Sequence, residues 1–378
     1  MDSKSATEAG SETMRSGQFD IDYAKQVTKL ADYSGIAITV SNDYEINDTA
    51  KQKYLTNVLQ SYGADAYKQV TDRDTVADGD YVKVDYTGYK DGKAFDGGSA
   101  TDVMLDVTNN SQVGGSSFID GFTKPIIGAK VGDKVKGDVT FPEDYGNDDL
   151  NGQTVTFEYT VKGIYSADPV ALADMTDEQV NTVFGKAGVT TNAQLTTQIE
   201  KDLKQQLYSA EVDKIKSYMI ENSTVEIPDE YLQARLNEYI ASFTKENVKD
   251  GQTLKKYLKS NYNMTVDQAT EKWKENLTDQ IKTEFIFGLI AEKENIKMDD
   301  DAFNSYVDYI VSASNGQFSK ASEVYKYFGS GHKDEGKTYL KNQYLVNKAI
   351  DTVTEKANVT FEDGSAAPDT SSGSADAE

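Results

Sequence analysis

Hydrophobic positions along this 378-residue chain follow two different periods, and the change from one to the other divides it. Residues 36–40, Ile-Ala-Ile-Thr-Val, form a short β-type run, and Ser41-Asn42-Asp43 after it supplies turn or cap residues. Ile46, Ala50, Tyr54, Val58 and Tyr62 then recur at about every fourth position, which predicts a helix. From 79 to 164 the pattern alternates instead. Tyr81, Val82 and Val84 begin it, and Gly-rich turns separate further strands near 103–105, 135–141 and 155–161, all rich in Val and Thr. Phe122, Ile126 and Ile127 suit one short helix within 119–128. The region reads as an antiparallel sheet wrapped on a short helix, an α+β domain.

Beyond Asp168-Pro169 the period is helical for most of the remaining chain. Leu195, Ile199, Leu203, Leu207, Ile215 and Met219 line one stripe of a long helix, with Asn192 as its N-cap. Pro228 fits the first turn of the next, which carries Leu232, Leu236, Tyr239, Ile240 and Phe243. Thr265-Val266-Asp267-Gln268 is a capping box that opens a helix with Ala269, Trp273, Leu277, Ile281, Phe285 and Leu289. Shorter patterns follow through Phe303, Val307, Ile310 and Val311, then Val324, Tyr325 and Phe328, and a last helix spans about 337–356. With no repeat period and no sustained heptad, this half reads as an irregular α-helical domain.

Length and composition allow two or three domains. The predicted division is a disordered tether over 1–30 and a strand–helix segment over 31–75 that packs with the helical domain. The sheet domain follows over 76–166, the helical domain over 167–361 and a disordered acidic tail over 362–378. No run approaches the ~18 apolar residues of a membrane span. A formal charge of −24 argues against binding nucleic acid or anionic lipid, which need clustered Lys and Arg. There are no cysteines, so disulfides and thiolate chemistry are excluded; the one histidine, His332 in a Gly-rich polar turn, reads as an exposed loop residue, and a histidine-based triad is not expected. No cofactor or metal is implied. The opening Asp-Ser-Lys-Ser-Ala-Thr-Glu carries no apolar signal segment. It resembles the start of a mature bacterial lipoprotein, with Met1 where the lipidated cysteine would be. Extracytoplasmic lipid anchoring is the favoured expectation and a cytoplasmic chain with a polar tail the alternative.

One reaction fits the residues of the sheet domain. Rotating an Xaa-Pro bond crosses a barrier of ~20 kcal/mol set by amide resonance, and needs neither nucleophile nor metal. An apolar, desolvated pocket with one or two hydrogen-bonding groups favours the twisted amide. Tyr86, Phe95, Ile119, Phe122, Tyr145 and Phe157 supply such a surface, with Asp96 as its lone carboxylate. The same aromatics would also serve as the core of a small β domain, and composition alone leaves both readings open.

Order and local spacing add a resemblance. Phe95-Asp96-Gly97-Gly98, then Ile119-Asp120-Gly121-Phe122, then Phe141-Pro142-Glu143-Asp144-Tyr145-Gly146 resembles the FKBP-type peptidyl-prolyl isomerases. The resemblance implies two catalytic positions, Asp96 facing the substrate amide and Tyr145 reaching a substrate carbonyl. It implies a substrate-binding pocket of Tyr86, Phe95, Val103, Ile119, Phe122 and Phe157, in which the Ile119 backbone N–H meets the ligand. Val103 stands where relatives usually carry Phe, which implies a wider pocket, and Asp120 adds charge at the rim.

The flanking sequence resembles the trigger factor family. The resemblance rests on Asp174-Met175-Thr176-Asp177-Glu178-Gln179-Val180, on Asn222 to Leu232, and on Phe287-Gly288-Leu289-Ile290-Ala291-Glu292. It implies a prolyl isomerase and chaperone for unfolded or newly exported polypeptides containing Xaa-Pro bonds. That family's ribosome-docking loop, of the type Gly-Phe-Arg-x-Gly-Lys, has no counterpart here, so the expectation is no ribosome docking and no nucleic acid. Contact with a membrane would come only through an N-terminal lipid anchor. Two alternatives remain: a holdase with a catalytically weak FKBP domain, and a surface lipoprotein binding module.

Overall fold

The computed structural model describes residues 14–62, 66–249 and 251–370. In chain order the first elements are α1 (Tyr23–Gln26), β1 (Val27–Lys29), β2 (Ala37–Val40) and α2 (Asp48–Leu59). Five strands follow: β3 (Asp80–Lys90), β4 (Lys93–Asp106), β5 (Ser111–Gln112), β6 (Lys134–Thr140) and β7 (Thr154–Ser166). Then come α3 (Asp177–Phe184), α4 (Asn192–Asn222), β8 (Thr224–Val225), α5 (Asp229–Asn247), α6 (Leu254–Tyr262) and α7 (Val266–Lys293). The last are α8 (Asp300–Ala313), α9 (Ala321–Phe328), α10 (Lys333–Glu355) and β9 (Asn358–Phe361). These elements form two compact units, one of Ile46–Leu203 and one of the described parts of Met1–Glu45 and Lys204–Glu378.

In the unit Ile46–Leu203 a five-stranded antiparallel sheet has the order β5-β4-β3-β7-β6. Strict alternation explains its one-sided core: Val155, Phe157, Tyr159 and Val161 of β7 are buried while their neighbours are not. They join Val82 and Val84 of β3 with Phe122, Ile126 and Phe141 in one cluster. The short helix expected here is a single 3-10 turn, Lys124–Ile126. Pro125 sits inside it, and left-handed Gly121 and Gly128 bound the segment on both sides. A second cluster unites α2, α3 and the start of α4, through Leu55, Val180, Phe184, Leu195 and Ile199, with Met104 and Tyr81 of the sheet. Asn47 caps α2 by accepting from the Ala50 N–H, and the Thr176–Gln179 capping box opens α3. The cap of α4 is Thr191, whose hydroxyl accepts from the Gln194 N–H, and not Asn192. The Asn192 amide instead donates to the carbonyls of Leu172 and Met175, so its side chain is already engaged.

The second unit is helical, with a core built from α4, α7 and α10. Ile281, Phe285, Phe287 and Ile290 of α7 and Ala349 and Val353 of α10 are buried. The Thr265 capping box is present at the start of α7, and α5 begins directly after Pro228. A smaller cluster joins Phe303 and Val307 of α8 to Val324 of α9 and Leu340 of α10. Two small sheets complete the unit. β1 pairs antiparallel with β8, and β2 pairs parallel with β9, Ala37 facing Asn358 and Val40 facing Phe361.

Part of each end predicted to be disordered is ordered. Residues 14–30 are structured: Phe19, Ile21 and Tyr23 pack on the helical core, and Tyr23 lies 5.8 Å from the Phe285 ring. Three apolar residues at alternate positions anchor an otherwise polar segment. Residues 362–370 are also structured. The Ala367 N–H donates to the Val359 carbonyl, and buried Thr370 donates its hydroxyl to Glu211. Residues 1–13 and 371–378 of the predicted tether and tail lie outside the described residues.

Candidate active site

The inner face of the sheet holds a continuous aromatic cluster. Tyr86, central on β3 and paired with Tyr159 of β7, lies edge-on to Phe122 at 5.0 Å and to Phe157 at 6.0 Å. Phe122 stacks on Phe118 at 4.3 Å, and Phe157 meets Phe95 at 6.0 Å. Phe95 continues to Phe141 at 6.2 Å, and Phe141 to Tyr145 at 4.5 Å. Edge-to-face rings at these separations add attraction beyond the area they bury. Tyr145 ends this chain of rings, while Asp96 follows Phe95 in β4 and is exposed.

Burial separates floor from rim. Phe122 and Phe157 are buried, and Tyr159 beneath them donates its hydroxyl to the Phe122 carbonyl at 2.6 Å. Tyr86, Phe95, Val103, Phe118 and Ile119 pack on this core but stay half-exposed, forming an apolar rim. Tyr145 is 47% exposed. Asp96 is exposed and makes no hydrogen bond or ion pair among the described residues. Burial first, and the neighbouring Tyr145 second, push the Tyr86 phenol above its ordinary pKa, so it stays protonated.

Phe118 and Gly88 belong to this arrangement although the sequence reading did not single them out, and Phe141 and Gly98, noted there only within motifs, belong to it as well. A Cβ on Gly88 would stand 2.6 Å from the Phe95 ring and 2.7 Å from Phe157, and one on Gly98 would stand 2.6 Å from Phe95. The Phe95 ring is seated between two positions that only glycine leaves open. Asn110 was also missed. Its backbone is left-handed at φ 50°, its carbonyl accepts from the Phe118 N–H, and its amide nitrogen donates to the Phe118 and Ile119 carbonyls at 3.2 and 2.9 Å. The amide oxygen accepts from the Thr123 N–H at 2.9 Å and from its hydroxyl at 3.2 Å. This brace fixes the 118–123 loop while the Ile119 N–H has no acceptor among the described residues.

A bulge shapes the neighbouring rim. Val84 faces Val103 and Tyr86 faces Ala100, so Asp85 opposes two residues, Thr101 and Asp102. The Asp85 carboxylate accepts the Asp102 N–H at 2.8 Å, and Lys162 bridges Asp85 and Asp102 at 2.9 Å each. The Lys162 contact holds the Asp85 carboxyl below its ordinary pKa. The bulge displaces Val103 by one residue relative to a regular ladder.

Residues 73–162 match the family model of the FKBP-type peptidyl-prolyl cis-trans isomerases, and residues 190–355 match that of the bacterial trigger factor protein C-terminus. The chain is trigger factor-like, an FKBP-type domain followed by a trigger factor C-terminal domain. The trigger factor of Agathobacter rectalis is 28% identical over 330 residues, 86% of this chain and 69% of that protein. That of Acetivibrio thermocellus is 26% identical over 339 residues, 89% of this chain and 74% of that protein. With the trigger factor of Clostridium botulinum strain Eklund 17B the match is 29% over 276 residues, and the chain spans 62% of that relative's length. A solved structure of the trigger factor chaperone, described for promiscuous substrate recognition in folding and assembly, aligns over 86% of this chain and 72% of that one. Its identity is 18% and its TM-score 0.44. The FKBP-type match takes in every aromatic of the cluster and all eight predicted site residues.

Proposed function

We propose that the FKBP-type domain isomerises Xaa-Pro bonds in unfolded polypeptides, which the trigger factor C-terminal domain helps to hold. The observation that carries this reading is the rim itself. Tyr86, Phe95, Phe118 and Ile119 expose apolar surface beside one unpaired backbone donor, the Ile119 N–H. A prolyl ring laid on Phe122 and Phe157 would lose water, which favours the less polar, twisted amide over the planar one. The Ile119 N–H would hold a substrate carbonyl, the Tyr145 hydroxyl a second, and Asp96 would face the rotating amide. Val103 would leave that wall of the pocket open to a larger residue than a Phe would admit.

The chain works away from the ribosome in this reading. A charge of −24 disfavours approach to ribosomal RNA.

Refolding of a substrate limited by proline isomerisation tests the site. The wild-type chain accelerates it, and Tyr145→Phe or Asp96→Leu lowers kcat/KM about tenfold, the effect of losing ~1.4 kcal/mol of transition-state stabilisation. Full activity in the double variant would overturn the assignment. A second reading, a holdase with weak turnover, is favoured by the exposed, unpaired position of Asp96 among the described residues. Suppressed client aggregation with no acceleration of refolding by the wild type would select it.

A further inference from the structure

The whole-chain charge conceals a local reversal. Between Lys245 and Tyr262 five lysines face only two acidic residues, Glu246 and Asp250, a formal +3 within a chain of −24. The five are Lys245, Lys249, Lys255, Lys256 and Lys259. All are exposed, and none forms an ion pair with a carboxylate among the described residues. Lys259 reaches only the Asn263 side chain, at 2.5 Å. Glu246 is turned away, accepting hydrogen bonds from Tyr327 and Ser242. The facing start of α7 is close to neutral, with Lys272 and Lys274 against Asp267, Glu271 and Glu275.

The same tip is aromatic. Phe243 of α5 lies 4.8 Å from Trp273 of α7 and 6.0 Å from Tyr257 of α6, and Tyr239 lies 5.5 Å from Trp273. Tyr262 is 55% exposed and Tyr239 40%. These rings join the ends of three helices outside the four hydrophobic clusters described for the chain. Helix α6 is amphipathic: Leu258 is buried while Lys255, Lys256 and Lys259 share the outer side with Tyr262.

We infer that the α5–α6–α7 tip docks on an anionic lipid bilayer surface, with the lysines over the headgroups and the tyrosines at the interface. Unpaired lysines attract anionic headgroups, and amphipathic aromatic rings prefer the boundary between water and hydrocarbon. A soluble polyanion would satisfy the lysines but give the exposed rings no apolar boundary. Among the described residues no helix is long and apolar enough to cross a membrane, so the contact is peripheral.

Trp273 is the only tryptophan, so intrinsic fluorescence reports on the tip directly. The full chain is mixed with vesicles of phosphatidylglycerol and phosphatidylcholine or of phosphatidylcholine alone, and binding is read by co-flotation and Trp273 emission. Binding is expected only to the anionic vesicles, with a blue shift, and is expected to weaken at least tenfold in Lys255→Glu/Lys256→Glu/Lys259→Glu. Circular dichroism of that variant should match the wild type, because all three positions are exposed. Equal binding to neutral vesicles, or undiminished binding by the triple variant, would overturn the inference. Binding to soluble polyglutamate without binding to anionic vesicles would overturn it equally.

Discussion

Asn110 holds the Ile119 carbonyl at 2.9 Å, and the Ile119 N–H has no acceptor among the described residues. The side chain thus sets the aim of a donor it does not touch. Asn110→Asp keeps an oxygen for Thr123 and tolerates the left-handed backbone, but loses the donor to Phe118 and Ile119. We expect kcat/KM for proline-limited refolding to fall about tenfold, with a loss of stability near 1–2 kcal/mol. Because the brace acts through loop position, Asn110→Asp should also weaken binding of a proline peptide, measured by titration calorimetry. Unchanged peptide affinity would refute the positioning role.

Phe95 is wedged between Gly88 and Gly98, so a methyl group at either position must displace the ring. Gly88→Ala is expected to cost about 1–3 kcal/mol by overpacking and to reduce isomerase activity together with it. Denaturant unfolding and the refolding assay on the same sample would show both. A stable, fully active variant would mean that Phe95 has another place to go.

Inside the helical unit Arg235 and Glu284 form a buried pair at 2.7 and 3.1 Å, and Tyr231 accepts a further bond from the guanidinium. Burial works against the charge, yet Glu284 beside it keeps Arg235 firmly protonated. Glu284→Leu alone should destabilise by about 3–5 kcal/mol, because it strands a buried cation. Arg235→Met with Glu284→Leu should recover most of that loss, as read from denaturation midpoints.

Glu211 gives stability a pH dependence. Its carboxyl is buried beneath Thr370, and desolvation first, with nearby Asp369 adding, raises its pKa in the folded state despite the hydrogen bond from Thr370. The folded chain therefore holds this proton more tightly than the unfolded chain. Its contribution favours folding below the unfolded value near 4.3 and is lost as pH rises through the folded value. Glu211→Gln should have a higher Tm than the wild type at pH 7, and the difference should close as pH falls toward 4. A difference that does not vary with pH would assign the effect to packing instead.

The fold was legible where local chemistry and burial agree. Alternation in β7 and the Thr265 capping box each stand in the sequence, whereas in α2 the buried residues are Leu55 and Leu59, one position on from Tyr54 and Val58 of the predicted stripe. The order of aromatics likewise placed Tyr86, Phe95, Phe122 and Phe157 in one cluster. What stayed hidden depends on partners distant in sequence. Phe19, Ile21 and Tyr23 are too few to make a period, and their partners lie far along the chain, Tyr231 of α5 for Phe19 and Phe285 of α7 for Tyr23. Asn110 reads as an ordinary turn residue, since nothing nearby announces that it grips a loop eight to thirteen positions away. Thr370 looks like part of a polar tail until Glu211 is seen beneath it.

The parallel pairing of β2 with β9 joins Thr39 to Thr360, 321 positions apart. During translation the early strand must wait, its edge open, while all of Ile46–Leu203 and seven further helical and strand segments are made. The intervening unit has its own cores and can finish folding in that interval. Closure of the helical unit is then a late event of high contact order, slow by the standard of helical proteins. A chaperone-like chain built this way spends its own synthesis exposed to the hazard that it would relieve in others.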